Sequence, residues 1–166
     1  MERVHYDALT KDQHEFFLQN GYLVIENVLS AEECNSLLAL FEQHADSDYS
    51  EIVNPHNRWP EILALMKRPR TVAIIETIQS APVVGLQSMF VFKKAGTPQA
   101  SQAWNVHQDV TYARAKYGLS VAGDYILGDH DNENGSFYVY PGSYVEPILE
   151  YDPVKSEGAQ PGNKIW

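Results

Sequence analysis

Residues 104–112 read Trp104-Asn105-Val106-His107-Gln108-Asp109-Val110-Thr111-Tyr112, and this stretch decides the fold class. It is rich in aromatic and β-branched residues, the composition of a strand. Successive side chains of a strand leave on opposite faces, so Val106 and Val110 share one face and His107 and Asp109 the other. The same character holds on both sides of it. Val84 to Phe92 (Val-Gly-Leu-Gln-Ser-Met-Phe-Val-Phe) is strand-like and closes at Lys93 and Lys94, and Gly96 to Ala103 reads as a small-residue loop. Val121 to Leu127 and Ser136 to Tyr140 read as further strands, separated by turns rich in Gly or in Asp and Asn.

Upstream the periodicity is helical. Thr10 followed by Gln13 has the form of a capping box, Phe16, Phe17 and Leu18 supply an apolar face, and Asn20-Gly21 ends the helix. Tyr22 to Val28 reads as a strand. Ser30 with Glu33 repeats the capping pattern, and Leu37, Leu38, Leu40 and Phe41 give a packed face ending near His44. Asp46 to Arg58 reads as a long polar loop. Pro60 and Pro69 each open a helix, the first through Ile62, Leu63 and Met66, the second through Val72, Ile75 and Ile78. The expectation is an α+β chain forming a single domain over residues 1–166, helical to about 82 and β from about 83, with helices buttressing a sandwich or barrel. A closed jelly roll needs about eight strands, more than the sequence supplies, so the barrel is expected to be incomplete.

The bulk numbers bound the function. With 166 residues, 44% hydrophobic and 20% charged, the chain has the composition of one ordinary globular domain. A net charge of −10 opposes non-specific association with nucleic acid or anionic membrane. Cys34 is the single cysteine, which excludes an intrachain disulfide and a thiolate-rich zinc site. The first residues, Met-Glu-Arg-Val-His-Tyr-Asp, contain no apolar core of a secretory signal, and no apolar run is long enough to span a bilayer. A cytoplasmic setting is expected.

The chemistry centres on His107 and Asp109. An imidazole and a carboxylate projecting together suit a divalent first-row metal, and with a distant second histidine they form the facial triad of non-haem Fe(II) oxygenases. The competing reading is a surface hydrogen-bonded pair, because His-x-Asp is a short pattern. His130 lies in the polar turn Gly128-Asp129-His130-Asp131-Asn132-Glu133 and reads as exposed rather than as a ligand. His5, His14, His44 and His56 stand in terminal, helical or loop positions without a partner pattern, and Arg58 reads as a solvated arginine. Gly135 and Gly142 read as turn residues.

Three blocks together resemble the phytanoyl-CoA dioxygenase family of Fe(II)/2-oxoglutarate-dependent oxygenases. The first is Phe16-Phe17-Leu18-Gln19-Asn20-Gly21-Tyr22-Leu23-Val24-Ile25 followed by Leu29-Ser30-Ala31-Glu32-Glu33-Cys34. The second is Gln87-Ser88-Met89-Phe90-Val91-Phe92-Lys93 leading to His107-Gln108-Asp109, and the third runs from Asp131-Asn132-Glu133-Asn134-Gly135-Ser136-Phe137 to Pro141-Gly142-Ser143. The resemblance implies a cupin-like double-stranded β-helix, with His107 and Asp109 as iron ligands. It also implies a 2-oxoglutarate pocket lined by Met89, Gln108 and Tyr125, the last at a place often held by tryptophan. Gln87, on the strand face of Met89, adds an amide to that pocket, and core packing is the competing role for Met89.

The implied reaction is oxidative decarboxylation of 2-oxoglutarate by dioxygen, coupled to hydroxylation of a C–H bond in a small organic substrate. Asp109 favours hydroxylation over halogenation, since halogenating relatives replace this carboxylate with a small residue. The family pattern runs on past Pro141-Gly142-Ser143 to a distal histidine and an arginine that grips 2-oxoglutarate. The sequence reaches Trp166 before either, so these 166 residues alone are expected to be inactive. Tyr144 stands where relatives usually carry a histidine that is not a ligand. Two other readings remain open at this level: an inactive, truncated member binding a metal or an anion, and a cupin-like metalloenzyme that does not use 2-oxoglutarate. An open sheet edge would also invite homodimerisation.

Overall fold

The structure, a computed structural model, describes residues 8–44, 51–92, 103–104, 106–109, 118–152, 159–160 and 162–163. Its first half is the helical layer anticipated from sequence. Helix α1 is Lys11–Asn20, with the Thr10 side chain accepting from the Gln13 amide at 3.2 Å and the Gln13 side chain accepting from the Thr10 amide at 2.9 Å. It ends at Gly21, whose φ of 77° needs glycine and whose N–H donates to the Phe17 carbonyl at 2.7 Å.

Helix α2 is Ala31–His44. Its entry is held the same way: the Ser30 amide donates to Glu33 Oε2 at 2.8 Å and the Glu33 amide to Ser30 Oγ at 3.2 Å. Arg68, at the start of helix α4 (Pro69–Gln79), adds a clamp. Its guanidinium pairs with Glu33 and donates to the Val28 carbonyl at 2.7 Å. The Ser30 amide first, and the Arg68 bond next, hold the Glu33 carboxyl below its ordinary value. A depressed carboxylate contributes stability that is present at neutral pH and is lost as pH falls through the depressed value. Glu33→Gln keeps the acceptor for Ser30 and removes the charge. Thermal melts across the acid range are expected to show a shallower decline for Glu33→Gln than for the wild type.

Helix α3 is Pro60–Met66. Of the loop expected over 46–58, residues 46–50 lie outside the described residues, and 51–57 contain regular structure. Glu51–Val53 forms strand β1, and Pro55–Asn57 forms a 3-10 turn with Pro55 almost completely buried. The partner of β1 is β2, Met89–Val91, in antiparallel register Glu51↔Val91, Ile52↔Phe90, Val53↔Met89. The pairing continues one step as the Asn54 amide donates to the Ser88 carbonyl at 2.7 Å. His56, which carried no partner pattern in the sequence, has its Nδ1 2.6 Å from Ser88 Oγ.

Alternation then sorts the sheet. Ile52 and Phe90 turn toward α2 and α3, joining the core of Leu37, Phe41 and Ile62 with Leu29, Leu40, Trp59, Leu65 and Leu127 around it. Phe41 meets Trp59 edge-on and stacks on Phe90 at an interplanar angle of 3°. Val53, Met89 and Val91 occupy the opposite, exposed face.

Beyond β2 the strand readings are cut back. Val84 to Phe92 contracts to Met89–Val91, and Tyr22 to Val28, Val121 to Leu127 and Ser136 to Tyr140 form no ladder among the described residues. A strand exists only where a second backbone accepts its hydrogen bonds, and β propensity alone does not provide one. Of 104–112, only Trp104 lies in a strand, β3 (Ala103–Trp104), while 106–109 carry no ladder and Asn105 and 110–112 lie outside the described residues. So do Lys93, Lys94 and most of the 96–103 loop. Strand β3 pairs in parallel with β5 (Ala159–Gln160), and β4 (Tyr151–Asp152) pairs antiparallel with β6 (Gly162–Asn163). The architecture described is therefore α+β, with a helical layer against the β1–β2 sheet and two further two-stranded pairs, none of them closed. Among the described residues no helix is long and apolar enough to cross a membrane.

The third sequence block docks on the first. In the turn at 141–144, Gly142 has φ 78° and its amide donates to the Asn20 carbonyl at 2.8 Å. The Tyr144 hydroxyl donates to the Leu18 carbonyl, and its ring lies against Gly21. The free carbonyls at the end of α1 are thus satisfied by residues from the far end of the chain. Gly135, φ 91°, closes the turn in which Asp131 Oδ1 accepts from the amides of Glu133 at 2.8 Å and Asn134 at 3.1 Å.

Candidate metal centre

The two central side chains are brought together. His107 Nε2 stands 3.3 Å from Asp109 Oδ1, with the imidazole partly buried and the carboxylate exposed. First-row metals hold nitrogen and oxygen donors at about 2.1 Å, so two ligands at a right angle stand roughly 3 Å apart. The pair therefore has both the donor chemistry and the separation of two adjacent ligands to one ion. Among the described residues no group of three or more His, Cys, Asp or Glu is placed to hold a metal. What the described residues supply is one imidazole and one carboxylate side by side.

A further carboxylate bears on it. Asp124 is raised above its ordinary value, chiefly because its carboxyl is withdrawn from water by its surroundings and secondly because the charge of Asp109 repels it. Asp124 is nonetheless exposed as a residue, so solvent screens the effect. Sequence reasoning missed this residue. Asp124 falls within the Val121 to Leu127 stretch read as a strand, and only the fold brings its charge to bear on Asp109.

The remaining assignments divide. Met89 is exposed on the sheet face turned away from the aromatic core, and Gln87, two residues ahead of the strand, is exposed as well, which leaves both open to a ligand. Tyr125 faces the helices: its hydroxyl is 2.5 Å from Thr71 Oγ1 and donates to the Leu65 carbonyl at 3.4 Å. The Gln108 amide reaches the backbone of 147–149, its Nε2 donating to the Pro147 carbonyl at 3.2 Å and its Oε1 accepting from the Leu149 amide at 2.8 Å. Arg58 and His130 are exposed, and His44 stacks on Trp59 with ring centroids 5.0 Å apart.

Helices ahead of short strands, followed by a His-x-Asp pair, define the class. The phytanoyl-CoA dioxygenase (PhyH) family profile matches residues 17–148, and the chain belongs to that family. Among curated proteins it is similar to "Phytanoyl-CoA dioxygenase, peroxisomal" of Rattus norvegicus, 20% identical over 185 aligned positions that cover 96% of this chain and 54% of the rat protein. The Mus musculus protein of the same name is 22% identical over 185 positions, with the same coverage. The Bos taurus protein is 19% identical over 177 positions, covering 92% of this chain and 52% of its own length. The chain thus spans about half the length of the curated relatives it matches. No solved structure is significantly similar to it.

Proposed function

We propose that this chain carries the iron half-site of a non-haem Fe(II)/2-oxoglutarate-dependent dioxygenase that hydroxylates a small organic substrate, built on a cupin-like jelly roll. The observation that supports the reading best is the 3.3 Å approach of His107 Nε2 to Asp109 Oδ1 inside the stretch that matches the family. In this reading His107 and Asp109 are two iron ligands. The bound iron with 2-oxoglutarate and dioxygen supplies the oxidising power for the C–H bond.

The protein's own part is positional. His107 offers a neutral nitrogen and Asp109 a charge that offsets the cation. Met89 on the open sheet face, and Gln87 just ahead of its strand, border the co-substrate. Gln108 stands between the ligands in the chain with its amide engaged by the backbone of 147–149, and Tyr125 lines the co-substrate from the side while its hydroxyl stays anchored to Thr71. Residues 1–166 act as one domain, and the compartment proposed is the cytoplasm, where a lone Cys34 stays reduced. The partners are the substrate and dioxygen, with homodimerisation through an open strand edge as a further element of the proposal.

Titration of the chain with Fe(II) under anaerobic conditions, followed by assay of succinate formation and oxygen uptake with 2-oxoglutarate, tests this. Expected are one bound ion per chain and no turnover from the 166 residues alone. Absence of metal binding would overturn the iron assignment. Metal binding with substrate oxidation but without succinate would point instead to a metalloenzyme that does not use 2-oxoglutarate.

A further inference from the structure

We propose that Gln108 is a positioning residue that latches the backbone between His107 and Asp109 onto residues 147–149, and so holds the two donors in register for one metal ion. The inference rests on the iron reading above and adds a residue that acts on the site through the backbone.

Gln108 sits between the two donors in the chain, and its side chain is bonded to the 147–149 backbone. Its amide uses both ends: Nε2 donates to the Pro147 carbonyl at 3.2 Å, and Oε1 accepts from the Leu149 amide at 2.8 Å. A carbonyl and an N–H two residues apart are what a neighbouring strand's backbone would engage. Residues 106–109 have no ladder of their own. The Gln108 side chain stands in for one.

The segment it holds is itself anchored. Shortly before Pro147, Gly142 donates to the Asn20 carbonyl at 2.8 Å and Tyr144 to that of Leu18, at the end of α1. A continuous line of bonds therefore runs from α1 through the 141–149 segment to the donor pair. Binding one ion requires both donors to face it together, and a latched backbone has given up the competing rotations before the metal arrives. Groups that orient ligands in this way are worth roughly 10–100-fold in metal affinity.

The test compares Co(II) binding, read by its visible d–d spectrum, in the wild type, Gln108→Met, Leu149→Pro and the double variant. Leu149→Pro removes the N–H that Gln108 accepts and leaves Gln108 itself intact. Each single variant is expected to bind Co(II) about tenfold more weakly. The double variant is expected to be no worse than either, because both changes open one latch. A loss in Gln108→Met without a loss in Leu149→Pro would overturn the latch in favour of direct contact with metal or co-substrate. Unchanged affinity in both, with wild-type binding intact, would also overturn it.

Amide exchange at Leu149 in the wild type covers the case in which a variant fails to fold. By reciprocity, Co(II) must slow that exchange if the latch and the metal are coupled, and unaltered exchange on a metal-loaded chain overturns the proposal. A wild type that binds no Co(II) overturns the iron reading, and this inference with it.

Discussion

On the proposed iron reading, His107→Ala is expected to weaken Fe(II) binding by about 100-fold or more, given that outer-shell partners alone are worth roughly 10–100-fold. That corresponds to about 2.8 kcal/mol. With two proposed donors among the described residues, removal of His107 would leave the Asp109 carboxylate alone to hold the ion. Asp109→Ala is expected to cost at least as much, because it removes the charge as well as a ligand. The fold should be nearly indifferent to either change, since Asp109 is exposed and His107 lies outside the aromatic core.

The two variants separate in a second readout. Asp124 is raised in part by the charge of Asp109, so Asp109→Ala is expected to lower the Asp124 titration while His107→Ala leaves it in place. Carboxyl chemical shifts followed against pH would check this. Equal metal affinity in His107→Ala and wild type would mean that the ion sits elsewhere. The 3.3 Å contact would then be an ordinary histidine–carboxylate pair.

The helices were legible in the sequence because everything that defines them is local. Thr10 with Gln13 and Ser30 with Glu33 sit within one turn of each other, and both capping boxes form as read. The prolines at 60 and 69 open α3 and α4 for an equally local reason. Strands carry no such information. Glu51-Ile52-Val53 was hidden in a polar loop because its identity depends on Met89–Val91, far along the chain. Tyr22 to Val28, with full β character, finds no ladder among the described residues.

The site divides the same way. His-x-Asp is a two-residue parity argument, and the structure brings both donors together. The roles of Gln108 and Asp124 depend on which distant backbone or charge comes alongside, and no spacing rule encodes that. Tyr144 is the clearest case. In the sequence it was a tolerable departure at a non-ligand position, whereas in the fold it caps α1 from more than a hundred residues away.

That contact makes Gly21→Ala the substitution with the largest expected effect on stability. Two costs fall on one methyl group. Gly21 has φ 77°, a left-handed conformation in which an L side chain costs roughly 1–2 kcal/mol. The added carbon would also stand 2.8 Å from Tyr144 Cγ, and closer still to Cδ1, so the ring must leave the end of α1. Overpacking of this kind costs about 1–3 kcal/mol. Gly21→Ala is therefore expected to lose roughly 2–5 kcal/mol in chemical denaturation.

The two costs can be told apart. In a Tyr144→Ala background the ring is gone, and Gly21→Ala should cost only the backbone share, about 1–2 kcal/mol. Tyr144→Phe keeps the ring and loses the hydroxyl bond to the Leu18 carbonyl, a change worth about 1 kcal/mol. If Gly21→Ala costs the same in both backgrounds, the ring does not rest on Gly21, and the link between the first and third sequence blocks is made by Gly142 and Asn20 alone. If the cost drops as expected, Gly21 serves two elements at once: it ends α1, and it leaves the flat surface on which Tyr144 seats the segment that Gln108 grips.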